Sequence, residues 1–136
     1  MTSVYLAARF GRADEMLRVR AEELEARGVE VTSRWFRGSH AWSGVPDGDL
    51  PLDEQARFAL EDLDDIDVAD GFVCFTQEEG SPYSRGGRHV ELGYALAWGK
   101  PIFLFGPREN VFYCHPSVRR FANWFDLVDA VVGLGR

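Results

Sequence analysis

The sequence has few cysteines and lacks any long hydrophobic run. Its two cysteines, Cys74 and Cys114, are too few for a disulfide framework, and the apolar strand pattern around Cys74 indicates a buried, unreactive thiol. No apolar run approaches the roughly 20 residues that a membrane-spanning helix requires. Residues 1–5 lead directly into a strand and lack the basic and apolar regions of a signal peptide. We therefore expect a cytoplasmic protein with no membrane contact.

An excess of positive charge is also missing. The chain has 15 basic and 22 acidic residues and a net charge of −7, whereas a nucleic-acid polymer requires a broad basic surface. The sequence contains no phosphate-binding P-loop, no dinucleotide fingerprint and no Gly-x-Ser-x-Gly motif. The spacing of His89, Cys114 and His115 is not typical of a metal site. We expect no metal and no cofactor, and a small molecule rather than a nucleic-acid polymer as the ligand.

Short apolar segments alternate with amphipathic ones along the chain. The predicted strands are Val4–Ala8, Val29–Phe36, Gly71–Thr76, Pro101–Gly106 and a short piece over Val118–Phe121. The predicted helices are Ala13–Arg27, Asp53–Ile66, one that contains Glu91 and ends at Gly99, and Leu127–Leu134 with Asp126 as its cap. This alternation is typical of a parallel sheet with helices on both faces. We therefore expect one α/β domain over residues 1–136, doubly wound, with about five strands.

The carboxyl ends of the strands are the expected location of a binding site. In open parallel sheets, ligands bind at this edge, where the strand order reverses. The loops after the first, third and fourth strands would meet there. The segment 37–52 is a candidate lid, because it has no periodicity and is long for a connection.

Glu91 is the most informative acidic residue because of its local sequence. It follows the pair Gly86-Gly87, in the expected first turn of its helix. A helix N-terminus carries partial positive charge and unpaired N–H groups, so it favours an ionised carboxylate and attracts anions. Paired glycines allow a ligand to approach the backbone. An ionised carboxylate beside an anion site suits a nucleophile, although a surface glutamate that only complements the helix dipole would have the same sequence.

Two other residues are candidates for the same site. At 100° per residue, Asp62 falls within the apolar arc of its helix, while Glu61 and Asp64 point away and Asp65 lies at the margin. A carboxylate on a buried stripe requires a partner, so Asp62 is either a second acid at the pocket or a loop cap or arginine partner. Tyr5, in the first strand, is either a core aromatic or a phenol that hydrogen-bonds the nucleophile.

Four segments of the chain follow a pattern found in one enzyme family. They are the strand and turn 4–12, the helix-to-strand stretch 61–73, the loop and helix 86–95, and the strand opening 99–102. With these segments the chain resembles the nucleoside 2-deoxyribosyltransferase family, which includes the 2′-deoxynucleoside 5′-monophosphate N-glycosidases. The most specific part is the glutamate-leucine-glycine sequence at 91–93 followed by Gly-Lys-Pro at 99–101.

The resemblance implies a role for each candidate. It makes Glu91 the nucleophile, Asp62 an acid that acts beside it, and Tyr5 an assisting residue. It also implies a flavodoxin-like (Rossmann-like) sheet and a homodimer or larger homo-oligomer, whose partner subunit helps to close the pocket. The chain departs from the pattern in a longer loop around residues 81–85, and no match extends past Gly106.

The implied reaction is cleavage of the N-glycosidic bond of a (deoxy)nucleoside or its 5′-monophosphate. A covalent glycosyl-glutamate forms and transfers the sugar to water or to another base. The substrate-binding candidates are Arg9, Phe10, Gly11, Arg12, Trp42, Arg85, Gly86, Gly87 and Arg88. The arginines and the two glycine amides of 86–87 would hold a 5′-phosphate, and Trp42 or Trp35 would stack on the base.

Several alternatives remain open at this point. A non-catalytic nucleotide sensor would use the same phosphate cradle, and a flavin-binding electron carrier would share the fold. The sequence slightly favours a nucleotide over a free nucleoside. It does not distinguish a hydrolase from a base-exchange transferase, and it does not identify the base or the sugar.

Overall fold

A computed structural model describes residues 2–8, 13–37, 50–76 and 87–135, with the side chains of residues 13 and 14 excepted. The strands are β1 (Ser3–Ala7), β2 (Glu30–Val31), β3 (Gly71–Phe75), β4 (Ile102–Phe105) and β5 (Val118–Phe121). The helices are α1 (Ala13–Glu25), α2 (Leu52–Val68), α3 (Gly87–Ala97) and α4 (Trp124–Gly133), with a 3-10 turn at Val111–Cys114.

The five strands form one sheet in the order β2-β1-β3-β4-β5, and every pair of neighbours is parallel. Tyr5 pairs with Phe72, and Phe72 pairs with Ile102. This order is the flavodoxin-like one, with a reversal between β1 and β3. The connection from β1 to β2 runs in the opposite direction to the later ones, which places helices on both faces. The predicted fold class is therefore confirmed.

The core lies between the central strands and the helices. Every residue of β1 and β3 is buried, as expected for parallel strands covered on both sides. On one face α2 packs against α3. On the other, α1 and α4 are linked by the ion pair of Arg27 with Asp129 at 3.1 Å and by Arg20 over the Trp124 ring. Within the described part of the chain, no helix is both long and apolar enough to span a membrane.

The second strand is much shorter than predicted. The sequence pattern predicted a strand over Val29–Phe36, but only Glu30–Val31 pairs with β1. Beyond that point, side chains take up the backbone groups of β1: the Leu6 N–H donates to Ser33 Oγ at 2.6 Å, and Trp35 Nε1 donates to the Leu6 carbonyl at 2.9 Å. Residues 32–36 do alternate as predicted, but the side chains of Ser33 and Trp35 take the place of backbone pairing between β2 and β1.

Two predictions about acidic residues were wrong. Asp65 is buried rather than marginal, and its carboxylate accepts hydrogen bonds from the Arg34 backbone N–H at 3.0 Å and from Arg34 Nε at 2.9 Å. The last helix begins at Trp124, where the side chain of Asn123 accepts from the N–H groups of Phe125 and Asp126. Asparagine is as good an N-cap as aspartate, so Asp126 instead lies in the first turn.

Candidate active site

Glu91 and Tyr5 meet where α3 packs against β1 and β3. Glu91 is the fifth residue of α3, and Tyr5 is the middle residue of β1. The Tyr5 hydroxyl donates a hydrogen bond to Oε2 of Glu91. This contact is one of the two possibilities that the sequence left open for Tyr5.

Tyr5 is held rigidly below the carboxylate. Its side chain is fully buried, and its ring stacks on Phe72 with a centroid distance of 5.7 Å. Burial and the neighbouring charge of Glu91 raise the pKa of the Tyr5 hydroxyl well above its ordinary value of 10.0. The phenol therefore stays protonated at any working pH and acts as a hydrogen-bond donor.

The carboxyl group of Glu91 has a strongly shifted pKa. The pKa is raised from 4.5 to about 8: burial is the main cause, the charge of Asp62 adds to it, and the Tyr5 hydrogen bond acts in the opposite direction. The expectation that the helix N-terminus keeps this carboxylate ionised was therefore wrong. Glu91 lies one full turn beyond the start of α3, where the helix dipole is weak and the loss of hydration dominates.

Asp62 is the third member of this group. It lies on α2, which packs against α3, and its charge raises the pKa values of both Glu91 and Tyr5. The effect on both groups means that Asp62 lies on the same side of the sheet, near the Tyr5–Glu91 pair. The structure thus brings together the three residues predicted to be catalytic, from α2, α3 and β1. Two acids in one site, one with a raised pKa, are an arrangement suited to nucleophilic and acid–base chemistry.

A second polar group lies at the N-terminus of α3. The buried Arg88 guanidinium pairs with Glu109. The neighbouring His89 contacts the Tyr113 hydroxyl through Nδ1 at 2.9 Å, and its Nε2 lies 3.6 Å from Glu109 Oε2. The pKa of His89 is lowered, mainly by burial and then by the charge of Arg88.

Sequence reasoning missed Glu109 and Tyr113 and considered His89 only as a metal ligand. The available signal was their position: Glu109 and Tyr113 follow β4, whose carboxyl end belongs to the edge where ligands bind. Their partners on α3 are more than 20 residues away in sequence, so no local pattern connects them.

Cys74 lies between the two polar groups. It is fully buried, and burial raises its thiol pKa to about 12. Its Sγ lies 3.9 Å from the Tyr113 hydroxyl, and the charges of Glu91, Arg88 and Glu109 all influence its pKa. The predicted burial of Cys74 is confirmed, and its raised pKa is consistent with an unreactive thiol.

Most of the predicted substrate-binding residues lie outside the described part of the chain. These are Arg9, Phe10, Gly11, Arg12, Trp42, Arg85 and Gly86. Gly87 is the first residue of α3, and a side chain there would meet no atom of the described residues within 4 Å. Arg88 is described, and its guanidinium lies against Glu109. Its role in phosphate binding stays a prediction.

Trp35 does not have the position of a stacking residue. Its side chain is buried in the core and its indole N–H donates to the backbone of β1. Within the described residues, no cluster of three or more histidine, cysteine, aspartate or glutamate side chains has the geometry to hold a metal ion.

Comparison with known proteins finds a similarity among solved structures. No protein-family model matches the chain, and no curated protein matches it. Among solved structures, the chain is similar to the CMP N-glycosidase BcmB of Clostridium botulinum, with a TM-score of 0.55 and 23% sequence identity over 96% of this chain and 98% of that chain. At this level of identity, the similarity establishes the shared α/β fold.

Proposed function

We propose that this protein cleaves the N-glycosidic bond of a nucleotide, with Glu91 as the nucleophile. The observation that carries the proposal is the hydrogen bond from Tyr5 to Glu91, made next to the charge of Asp62. A carboxylate fixed by a buried donor is a preorganised nucleophile. The fold shared with a CMP N-glycosidase supports the choice of reaction class.

In the first step, ionised Glu91 attacks C1′ of the sugar. A bond forms between a carboxylate oxygen and C1′, the C1′–N bond to the base breaks, and its electron pair leaves with the base nitrogen. The departing base takes a proton from water, or from Asp62 after Asp62 has accepted the proton that Glu91 loses. In the second step, water or another base attacks C1′ on the face opposite the ester bond and gives up a proton to the Asp62 carboxylate or to solvent. The ester bond breaks and Glu91 leaves as a carboxylate, so the sugar retains its configuration.

The raised pKa of Glu91 places a condition on this mechanism. With a pKa of about 8, the carboxyl group is largely protonated at neutral pH in the ligand-free protein, and a protonated acid is a poor nucleophile. Glu91 must therefore lose its proton before attack. The Tyr5 hydroxyl favours this step because it hydrogen-bonds the charged form.

We further propose a 5′-monophosphate as the substrate and water as the acceptor. Candidate phosphate ligands are Arg9, Arg12, Arg85 and the amides of Gly86 and Gly87, with Trp42 stacking on the base. The start of α3 supports this assignment, because a helix N-terminus binds phosphate well and no atom of the described residues would contact a side chain at Gly87.

The test is incubation with nucleosides and 5′-monophosphates, with and without a free acceptor base, followed by chromatography. We expect release of the base from a monophosphate into water. Glu91→Gln should abolish release. Glu30→Gln should not change it, because Glu30 is exposed and lies at the amino-terminal end of β2, paired with Ser3. Base exchange that requires the acceptor would indicate a transferase instead. Release that persists in Glu91→Gln would contradict the proposed nucleophile.

A nucleotide-binding protein without chemistry is the alternative, and one observation favours it. A glutamate that is mostly protonated at neutral pH suits hydrogen bonding to a bound ligand as well as it suits attack. This alternative predicts nucleotide binding in calorimetry without base release, and only a modest change of affinity in Glu91→Gln.

We also propose that the protein forms a homo-oligomer. In addition to the family resemblance, the 3-10 turn near the site exposes two apolar side chains, Val111 at 74% and Phe112 at 66%. Adjacent exposed apolar residues are typical of a contact surface. Light scattering after size-exclusion chromatography measures the mass; a monomer at micromolar concentration would contradict this proposal.

A further inference from the structure

Two consecutive side chains at the start of α3 contact the same segment of the chain. Arg88 pairs with Glu109, and His89 contacts Tyr113 at 2.9 Å. Both partners belong to residues 106–114, which follow β4. We call Arg88, His89, Glu109 and Tyr113 the α3 clamp.

The segment that the clamp holds is itself well fixed. Thr76 Oγ1 donates to the Pro107 carbonyl at 2.5 Å, Arg108 donates to the Tyr113 carbonyl, and Asn110 Oδ1 accepts from the Phe112 N–H at 2.9 Å. Gly106 has a φ of +124°, and a side chain there would come within 2.7 Å of the Thr76 carbonyl. The segment is therefore a rigid support rather than a free loop.

Stability alone is a weak reason for such an arrangement. The Arg88 and Glu109 side chains are only 8% and 13% exposed, and a buried ion pair often stabilises a fold no better than apolar residues of the same size. Such a pair does specify geometry, because its hydrogen bonds require one relative position of the two elements. Here the elements are the α3 N-terminus and the loop after β4.

Glu91 is the residue that this geometry affects. It lies two residues after His89, where the first turn of α3 ends. A shift of the start of α3 therefore moves the Glu91 carboxyl group relative to the Tyr5 hydroxyl. Displacement of a reacting group by about 1 Å can lower a rate by around 100-fold.

We propose that Glu109 and Tyr113 are positioning residues, which hold the first turn of α3 so that Glu91 is aligned for attack. This inference rests on the proposed function. It assigns Arg88 to the clamp rather than to the substrate phosphate.

The test compares the wild type with Glu109→Gln and Tyr113→Phe, each in the full chain. We expect kcat for base release to fall tenfold or more in both variants, with KM within twofold of the wild type, because substrate contacts remain. Tyr94→Phe and Glu30→Gln are the matched controls, since both side chains are exposed and lie outside the clamp. If Glu109→Gln does not fold, Tyr113→Phe decides, because it keeps the buried ring.

A second readout needs no turnover and separates this inference from the proposed function. Titration of the Glu91 carboxyl carbon by NMR reports its pKa directly. Tyr113→Phe changes no charge, so a fall of the Glu91 pKa towards 4.5 would mean that the carboxyl group has become hydrated through loss of its position. If the wild type releases no base from any nucleotide, the proposed function fails, and this titration still tests the clamp.

Two results would overturn the inference. One is an unchanged kcat and an unchanged Glu91 titration in folded Tyr113→Phe. The other is a rise of KM for monophosphates at constant kcat in Glu109→Gln, which would mean that the Arg88–Glu109 pair contacts the substrate.

Discussion

The hydroxyl of Tyr5 donates a hydrogen bond to the carboxyl group of Glu91, although 86 residues separate them in the sequence. The donor comes from the interior of the sheet and the acceptor from a helix packed on it. Because Tyr5 is fully buried and stacked on Phe72, it fixes the direction of the carboxyl group. The contact joins a rigid element of the core to the proposed nucleophile.

The pH dependence of activity follows from the pKa of Glu91. If only the ionised form attacks, kcat/KM should rise about tenfold per pH unit on the acid side and level off near pH 8. Steady-state base release between pH 5 and pH 9.5 measures this profile. A flat profile over pH 5–8 would mean that Glu91 is already ionised in the free protein or is not the nucleophile.

Tyr5→Phe should lower activity and move the acid limb of this profile to higher pH. The substitution keeps the stacked ring but removes a donor that favours the ionised form of Glu91. A hydrogen bond to a charged group is worth about 1.5–3 kcal/mol, so we expect kcat/KM at pH 7 to fall on the order of tenfold to 100-fold. Thermal unfolding of the variant serves as the folding control, and unchanged kinetics would remove Tyr5 from the mechanism.

Asp62→Asn should have two separable effects. Removal of its charge lowers the pKa of Glu91, because Asp62 raises it, so the acid limb should move to lower pH. If Asp62 also protonates the leaving base, kcat should fall by about 100-fold or more. The matched control is Asp64→Asn, an exposed acid two residues along the same helix. A shifted limb with an unchanged kcat would restrict Asp62 to an electrostatic role.

The same pKa shift predicts how stability depends on pH. Between pH 4.5 and pH 8 the folded protein keeps the Glu91 proton that the unfolded chain has lost, so the free energy of unfolding decreases as pH rises through this window. Glu91→Gln removes this slope. The free energy of unfolding of Glu91→Gln, relative to that of the wild type, should therefore increase from pH 5 to pH 9. We expect an increase on the order of 2 kcal/mol, which is less than the full pKa shift would give, because water still reaches part of the Glu91 side chain.

Urea denaturation of both proteins at pH 5, 7 and 9 measures this difference, with Glu30→Gln as the control. A difference that stays constant with pH would show that Glu91 has an ordinary pKa.

The sequence was sufficient for the fold because apolar periodicity is a local property. The buried strands around Tyr5 and Cys74 and the helices between them were predicted within a few residues. The second strand was overestimated, since the alternating pattern of residues 32–36 does not reveal that Ser33 and Trp35 hydrogen-bond to β1.

For the site, sequence determined which residue types are present, and helical spacing alone placed Asp62 inward. The pKa of Glu91 was decided only by the tertiary structure, because it depends on burial and on a charge from another helix. The pairing of Arg88 with Glu109 was likewise decided by the packing of α3 against the loop after β4. How much water reaches a side chain and which charges lie near it depend on its position in space. Residues that are distant in sequence become neighbours only after the sheet and its helices have packed together.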